Sequence, residues 1–83
     1  MTMNTDIYQQ LLTETEDLLY RVRIYDRDMV HTDEIIEMDR THEMIGSLRW
    51  MGESEMFRTK AIEKLIRMRH RLLTMMEDLL FTA

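Results

Sequence analysis

The sequence predicts an all-α protein that forms a single helical domain over residues 1–83. Proline is absent and glycine occurs only at Gly46 and Gly52, so residues that interrupt helices are nearly missing. Apolar residues recur every three to four positions over two long stretches, which is the spacing of amphipathic helices. Gly52 and Ser54 lie between these stretches. Together these observations predict a helical hairpin with a bend near residues 50–54.

The first arm of this hairpin runs from Asp6 to Arg49 without a residue that excludes helix. Past Ile36 the apolar stripe shifts in phase, and residues 30–33 are weak helix formers. The arm is therefore either one long helix or two helices broken near residues 30–33, which gives three helices in all. Up to the shift, the stripe follows a coiled-coil-like spacing: Tyr8, Leu11, Thr15, Leu18, Val22, Tyr25, Met29, Thr32 and Ile36.

The bend and the second arm follow from local signals. Gly52 can take the left-handed conformation that ends many helices, and Ser54 can cap the next one. The apolar arc of the second arm covers about half of the helix circumference, more than the ~100° that one neighbouring helix needs. Its central seam consists of Ile62, Leu65, Arg69, Leu72, Met76 and Leu79, with Ile66, Leu73 and Leu80 among the flanking residues.

The wide arc and the unequal arms predict association as a helical-bundle dimer. A chain of this size buries a small core, and without cysteine it has no disulfide support. We therefore expect it to pair with itself, as a four-helix bundle, or with another helical protein. The residues predicted to form this interface are Leu11, Leu18, Val22, Tyr25, Leu65, Arg69, Leu72, Met76 and Leu79.

Charge and hydropathy limit the partners. The formal net charge is −5, so nucleic acid is not an expected partner. No apolar run reaches the ~18 residues that span a bilayer, so we expect no membrane insertion. The N-terminal residues lack the basic and apolar regions of a signal peptide. The sequence therefore predicts a protein that is either cytoplasmic or secreted without a cleavable signal peptide.

Enzymatic chemistry has little support in the sequence. No serine, threonine or lysine lies in a recognisable nucleophile motif, and there is no glycine-rich phosphate loop. Asp39 and His42 stand three residues apart, which is half of the motif that binds iron in helical carboxylate bundles. The second half is absent from the chain. We therefore predict a non-enzymatic protein without a cofactor or metal, and keep a ferritin-like site at Asp39 and His42 as a remote alternative.

Charged residues on the second arm have several interpretations. Lys60, Lys64, Arg67 and Arg71 fall on one outer stripe of the helix. This stripe is a solvated flank, a row that pairs with acids of the first arm, or a phosphate-binding surface. Arg69 and Asp26 interrupt the apolar stripes, so each is expected to reach an opposite charge or the edge of the apolar surface.

The Trp50-Met51-Gly52 triplet in the predicted bend resembles the Trp-X-Gly family of small helical hairpins exported by type VII secretion systems. Ser54 fits the small residue expected two positions after the glycine. The resemblance implies a hairpin without a cleavable signal that pairs as a homo- or heterodimeric four-helix bundle. Phe57 lies one position before the aromatic residue of the family pattern, and Gly46 occupies the position of an aliphatic residue.

The predicted function is a protein–protein interaction module. On this hypothesis the residues around the bend contact a partner: Trp50, Met51, Gly52, Met56 and Phe57. The family resemblance implies a type VII secretion substrate, or a protein that pairs with a larger effector. The alternative is a small cytoplasmic regulator, encoded by a phage or plasmid, that binds and inhibits a host protein through the same helical surface.

Overall fold

A computed structural model describes residues 3–82, with side chains from residue 6 to residue 81. Three helices form this part of the chain: α1 (Met3–Tyr25), α2 (Thr32–Gly46) and α3 (Glu55–Thr82). A short 3-10 helix, Trp50–Gly52, lies between α2 and α3. The described residues contain no strand, so the all-α prediction is confirmed. Of the two alternatives for the first arm, the structure shows two helices and hence three in all.

Two clusters of buried side chains define the direction of each helix. The first joins the early part of α1 to the end of α2 and the early part of α3: Tyr8, Leu11, Ile45, Trp50, Ala61 and Leu65. The second joins the late part of α1 to the start of α2 and the later part of α3: Leu19, Val22, Ile35, Met68, Leu72 and Met75. The helices α1 and α3 therefore run parallel, and α2 runs antiparallel to both in an up-down-up bundle.

The break between α1 and α2 is built around Asp26, which is only 6% exposed. Its carboxylate accepts hydrogen bonds from the backbone N–H groups of Val30, at 3.0 Å, and His31, at 2.9 Å. Met29 takes a left-handed conformation with φ of 56°. The interruption thus begins about four residues before the predicted position, because Asp26 supplies acceptors for N–H groups that have no helical partner.

The turn between α2 and α3 contains the predicted cap but not the predicted glycine conformation. The Ser54 hydroxyl accepts a hydrogen bond from the Phe57 N–H at 3.1 Å, which confirms Ser54 as the cap of α3. Gly52 was expected to be left-handed, but no glycine among residues 3–82 has a positive φ. The reversal instead uses the 3-10 turn, in which the Gly52 N–H donates to the Arg49 carbonyl at 2.8 Å.

The folding back of α2 changes what covers α1. A single long first arm would leave the apolar residues near its start uncovered, whereas in the bundle α3 packs mainly on α1. As a result, four residues predicted to contact a partner are buried within the chain itself: Leu11, Val22, Leu65 and Leu72. For these residues the interface prediction is corrected, because the parallel pair of α1 and α3 encloses them.

Candidate interaction site

Trp50 belongs to the core of the bundle. Its indole is 6% exposed and stacks on the Tyr8 ring, with 3.9 Å between the ring centroids and 9° between the planes. The Tyr8 hydroxyl donates a hydrogen bond to the Ile45 carbonyl at 2.7 Å. The Arg58 guanidinium donates to the Glu53 carbonyl at 3.0 Å and holds the turn. Trp50 thus joins all three helices and presents little surface to a partner.

The other residues predicted to bind a partner around the bend lie at the surface. Met51 and Met56 are 73% and 70% exposed, and Phe57 is 43% exposed. Gly52 is exposed as well. Phe57 lines a small apolar cleft with Met44 and Ala61 between α2 and α3. The bend therefore separates into a buried tryptophan and a surrounding group of accessible residues.

Burial of Tyr8 predicts a stability loss in alkali. Desolvation raises the pKa of its phenol above the ordinary value of 10.0. A raised folded-state pKa means that the stabilisation by Tyr8 is complete below pH 10 and is lost as the pH rises toward the folded-state pKa. We therefore expect the melting temperatures of the wild type and Tyr8→Phe to differ at pH 7 and to converge above pH 10. An unchanged difference across that range would contradict this assignment.

A mainly apolar surface, interrupted by one ion pair, lies along the parallel pair of α1 and α3. Five of its side chains are 42–55% exposed: Ile7, Tyr25, Ile66, Leu73 and Leu80. Leu18, Ile62 and Met76 are partly buried beside them. These residues and the Glu14–Arg69 ion pair form what we call the α1–α3 face. Successive members are three, four or seven residues apart on each helix, so they share one side of it.

The Glu14–Arg69 ion pair crosses the middle of the α1–α3 face. Arg69 Nη1 lies 3.0 Å from Glu14 Oε2, and the Arg69 and Glu14 side chains are 36% and 37% exposed. Hydrogen bonds from two side chains lower the pKa of the Glu14 carboxyl below its usual value. The bond from Gln10 has the largest effect, and the bond from Arg69 comes next in size. Arg69, predicted to need a partner, therefore meets a carboxylate of α1, whereas Asp26 meets backbone N–H groups.

The opposite side of α3 forms a polar cleft with α2. Arg71 donates two hydrogen bonds to the Glu34 carboxylate, which lowers the pKa of Glu34. Residues two apart on a helix point about 160° apart, so Arg69 faces α1 while Arg71 faces α2. Lys64 and Arg67 line the same cleft, whose volume is about 340 Å³. Lys64, Arg67 and Arg71 of the basic stripe therefore lie along the groove between α2 and α3. Arg71 pairs with Glu34 of the first arm, in agreement with the interpretation of the stripe as a row that pairs with acids of that arm.

Several predicted interface residues do reach the α1–α3 face. Leu18, Tyr25, Arg69 and Met76 are on it, although Leu18 and Met76 also pack against the second buried cluster, as Leu79 does. Ile66, Leu73 and Leu80 were predicted only as flanks of the seam, yet they are more exposed than the seam itself. Ile66, Leu73 and Leu80 are spaced by seven residues, whereas the residues of the seam are spaced by three or four. This regular spacing was the signal in the sequence for a separate stripe on the outside of the bundle.

Asp39 and His42 each bond to α1 in the structure. Asp39 Oδ2 lies 2.8 Å from Arg23 Nη2, and His42 Nε2 is 2.8 Å from the Leu12 carbonyl oxygen. Among residues 3–82, no group of three or more histidine, cysteine, aspartate or glutamate side chains is placed to hold a metal ion. The two residues therefore have a structural explanation as contacts between α1 and α2.

The chain was compared with known protein families, curated proteins and solved structures. Neither a scan against protein-family models, nor a search of curated proteins, nor a search of solved structures found a match. Within the described part of the chain, none of the helices has the length and apolar character needed to cross a membrane. The fold and the α1–α3 face are therefore the observations on which a functional proposal rests.

Proposed function

We propose that this protein is a protein–protein interaction module that pairs with a second copy of itself through the α1–α3 face. The observation that carries the proposal is the row of half-exposed apolar side chains on two parallel helices, with the Glu14–Arg69 ion pair in its middle. Scattered exposed apolar residues are normal on a protein surface, but a contiguous apolar stripe with polar surroundings marks an interaction site. Because the chain has no cysteine, association is the main support left for so small a bundle.

The dimensions of the bundle support a stable contact. Its long axis measures 44 Å and its cross-section 20 by 16 Å. A face along this length can bury roughly 800 Å² on each partner, which is the size of a standard protein–protein interface. The half-exposed leucine and isoleucine side chains are the type of residue whose burial stabilises an interface by ~25 cal/mol per Å² of apolar area. The Glu14–Arg69 pair supplies both signs of charge, so the face can complement its own copy.

Leu73→Asp tests this proposal. A carboxylate in the middle of the α1–α3 face should abolish the dimer while leaving the helix content close to that of the wild type, because Leu73 is 46% exposed in the single chain. Size-exclusion chromatography with light scattering gives the mass, and circular dichroism gives the helix content. Ile36→Asp on α2 is the matched control, since Ile36 is 43% exposed and lies outside the face. A wild-type monomer at high micromolar concentration would overturn the proposal.

A second candidate function, export by a type VII secretion system, is favoured by the position of Trp50-Met51-Gly52 in the chain reversal between α2 and α3. The division of the first arm into α1 and α2 differs from the two-helix hairpin that the resemblance implies. Expression in a host with an active type VII system provides the test. Appearance of the protein in the medium that depends on the secretion ATPase would support this candidate, and retention in the cells would contradict it.

A further inference from the structure

We propose that the two copies pack in parallel, with the two-fold axis along the bundle, and that Glu14 and Arg69 determine this arrangement. In the dimer, Glu14 of each chain faces Arg69 of the other. This inference rests on the proposed self-association through the α1–α3 face. The Glu14–Arg69 ion pair then has two roles: it joins α1 to α3 within one chain, and it sets the relative direction of the two chains in the dimer.

The first step is the layered order of the face. Because α1 and α3 are parallel and rise equally per residue, the Glu14–Arg69 contact and the two buried clusters indicate which residues lie at about the same height along the bundle. Each residue of α1 lies near the height of the residue about 55 positions later on α3, which is the separation of Glu14 and Arg69. Four of the resulting layers join members of the face on both helices: Ile7 with Ile62, Glu14 with Arg69, Leu18 with Leu73, and Tyr25 with Leu80. Between them, Ile66 is level with Leu11, which is buried, and Met76 is level with Arg21, which pairs with Asp17.

The second step is the effect of a two-fold axis that runs along the bundle. This axis places α1 of one chain over α3 of the other and keeps both chains pointing in the same direction. Every layer then meets its own copy at the same height. The layers of Ile7, Leu18 and Tyr25 contact their apolar copies, and the Glu14–Arg69 layer contacts its own copy. Within it, Glu14 lies opposite Arg69 in both directions, so the four charges alternate in sign.

The third step is that an antiparallel dimer brings the charges of the face into unfavourable contacts. A two-fold axis across the bundle places α1 over α1 with opposite directions. If the charged layers coincide, Glu14 meets Glu14 and Arg69 meets Arg69, which is repulsive. If the chains slide by one layer, the ion pair is buried against Leu18 and Leu73, where its charges lose solvent without gaining partners. Charged or polar residues within an apolar interface fix register and orientation in this way in coiled coils.

The exposure of the pair supports a role in pairing. Glu14 and Arg69 retain 37% and 36% of their side-chain area in the single chain, so each has atoms that remain available for a second contact. The Arg69 guanidinium has five N–H donors, of which Nη1 is directed to Glu14 within the chain. Its planar fork can therefore bond to two carboxylates at once.

A charge-reversed double variant, Glu14→Arg with Arg69→Glu, tests the arrangement. It preserves the pair within one chain and should form its own dimers. Mixed with the wild type in the parallel arrangement, its introduced arginine meets Arg69 of the wild type, and its introduced glutamate meets Glu14. We therefore expect the two proteins to sort by sequence, with heterodimer at least about tenfold below random mixing. Native mass spectrometry of the mixture, with one protein labelled with nitrogen-15, measures the fraction after denaturation and refolding together.

The antiparallel arrangement predicts the reverse result for the same mixture. The introduced arginine of the variant would then face Glu14 of the wild type, and heterodimer would exceed random mixing. Heterodimer at or above random mixing would therefore overturn the parallel arrangement. Circular dichroism of the double variant alone, with the helix content of the wild type, shows that the sorting does not result from misfolding.

A distance measurement provides an independent test. The chain has no cysteine, so Glu55→Cys at the start of α3 can carry a single spin label. In the parallel dimer both labels are at the same end, and their separation should be clearly shorter than the 44 Å length of the bundle. A separation of that length or more would overturn the parallel arrangement while Leu73→Asp still dissociates the dimer. A wild-type monomer in light scattering would instead overturn the proposed function itself.

Discussion

Trp50→Ala should lower the free energy of unfolding of the isolated protein by ~3–5 kcal/mol and lower its melting temperature strongly. The indole is 6% exposed and lies in the first buried cluster, where it stacks on Tyr8 and joins the ends of all three helices. Removal of the ring leaves a cavity that the short turn cannot close, because Arg58 donates hydrogen bonds to the carbonyl groups of Trp50 and Glu53. Thermal and chemical denaturation followed by circular dichroism measures the loss.

Trp50→Phe is the control for this substitution. It retains an aromatic ring on Tyr8 and should cost clearly less stability than Trp50→Ala. If Trp50 acted only in recognition of a partner, Trp50→Ala would leave the melting temperature nearly unchanged and weaken only association. A stable Trp50→Ala protein with reduced dimer formation would therefore contradict the structural assignment of Trp50.

Leu72→Asp should be more damaging still, with most molecules unfolded at room temperature. Leu72 has no exposed surface and lies in the second buried cluster between α1 and α3. The substitution removes a buried leucine and introduces a carboxylate without a partner, a combination that typically exceeds ~4–5 kcal/mol. A domain of this length has only roughly 4–12 kcal/mol of stability in total. Far-ultraviolet circular dichroism at 25 °C measures the remaining helix.

Leu73→Asp is the matched control, because the two leucines are adjacent on α3 and differ in exposure. Leu73 is 46% exposed on the α1–α3 face, so its substitution should leave the single chain folded. The contrast separates burial within the chain from burial between chains. Equal unfolding of both variants would show that the face belongs to the folded core of each chain, and equal folding would contradict the placement of Leu72 in the core.

The helical class and the cap of α3 were predictable because they depend on neighbouring residues. Helix propensity and the absence of proline act over a few positions, and Ser54 caps the backbone three residues away. The break in the first arm was located only approximately. Its position depends on Asp26, whose carboxylate could be read from sequence as an intruding charge but not as an acceptor for the N–H groups of Val30 and His31.

The interaction face was harder to predict, because it depends on which residues another helix covers. On α3 the apolar arc includes both Leu72 and Leu73, and sequence spacing assigned the first to a partner. Which of the two leucines is covered within the chain depends on the direction of α2. Because α2 runs back along the bundle, α3 packs beside α1 in parallel and covers Leu72. Trp50 was predicted to contact a partner, and its packing on Tyr8 within the chain was not predicted for a related reason: Tyr8 lies 42 positions earlier in the chain.

The odd number of α-helices in residues 3–82 has a consequence for where α1 begins and α3 ends. The first turn of α1 and the last turn of α3 lie at opposite ends of a bundle 44 Å long. An extended linker that joined them would need about 13 residues at ~3.3–3.6 Å each, so a short linker cannot produce a circular permutant. Domains fused before α1 and after α3 would emerge about one bundle length apart. In such a fusion the bundle would separate the two attached domains by about 44 Å.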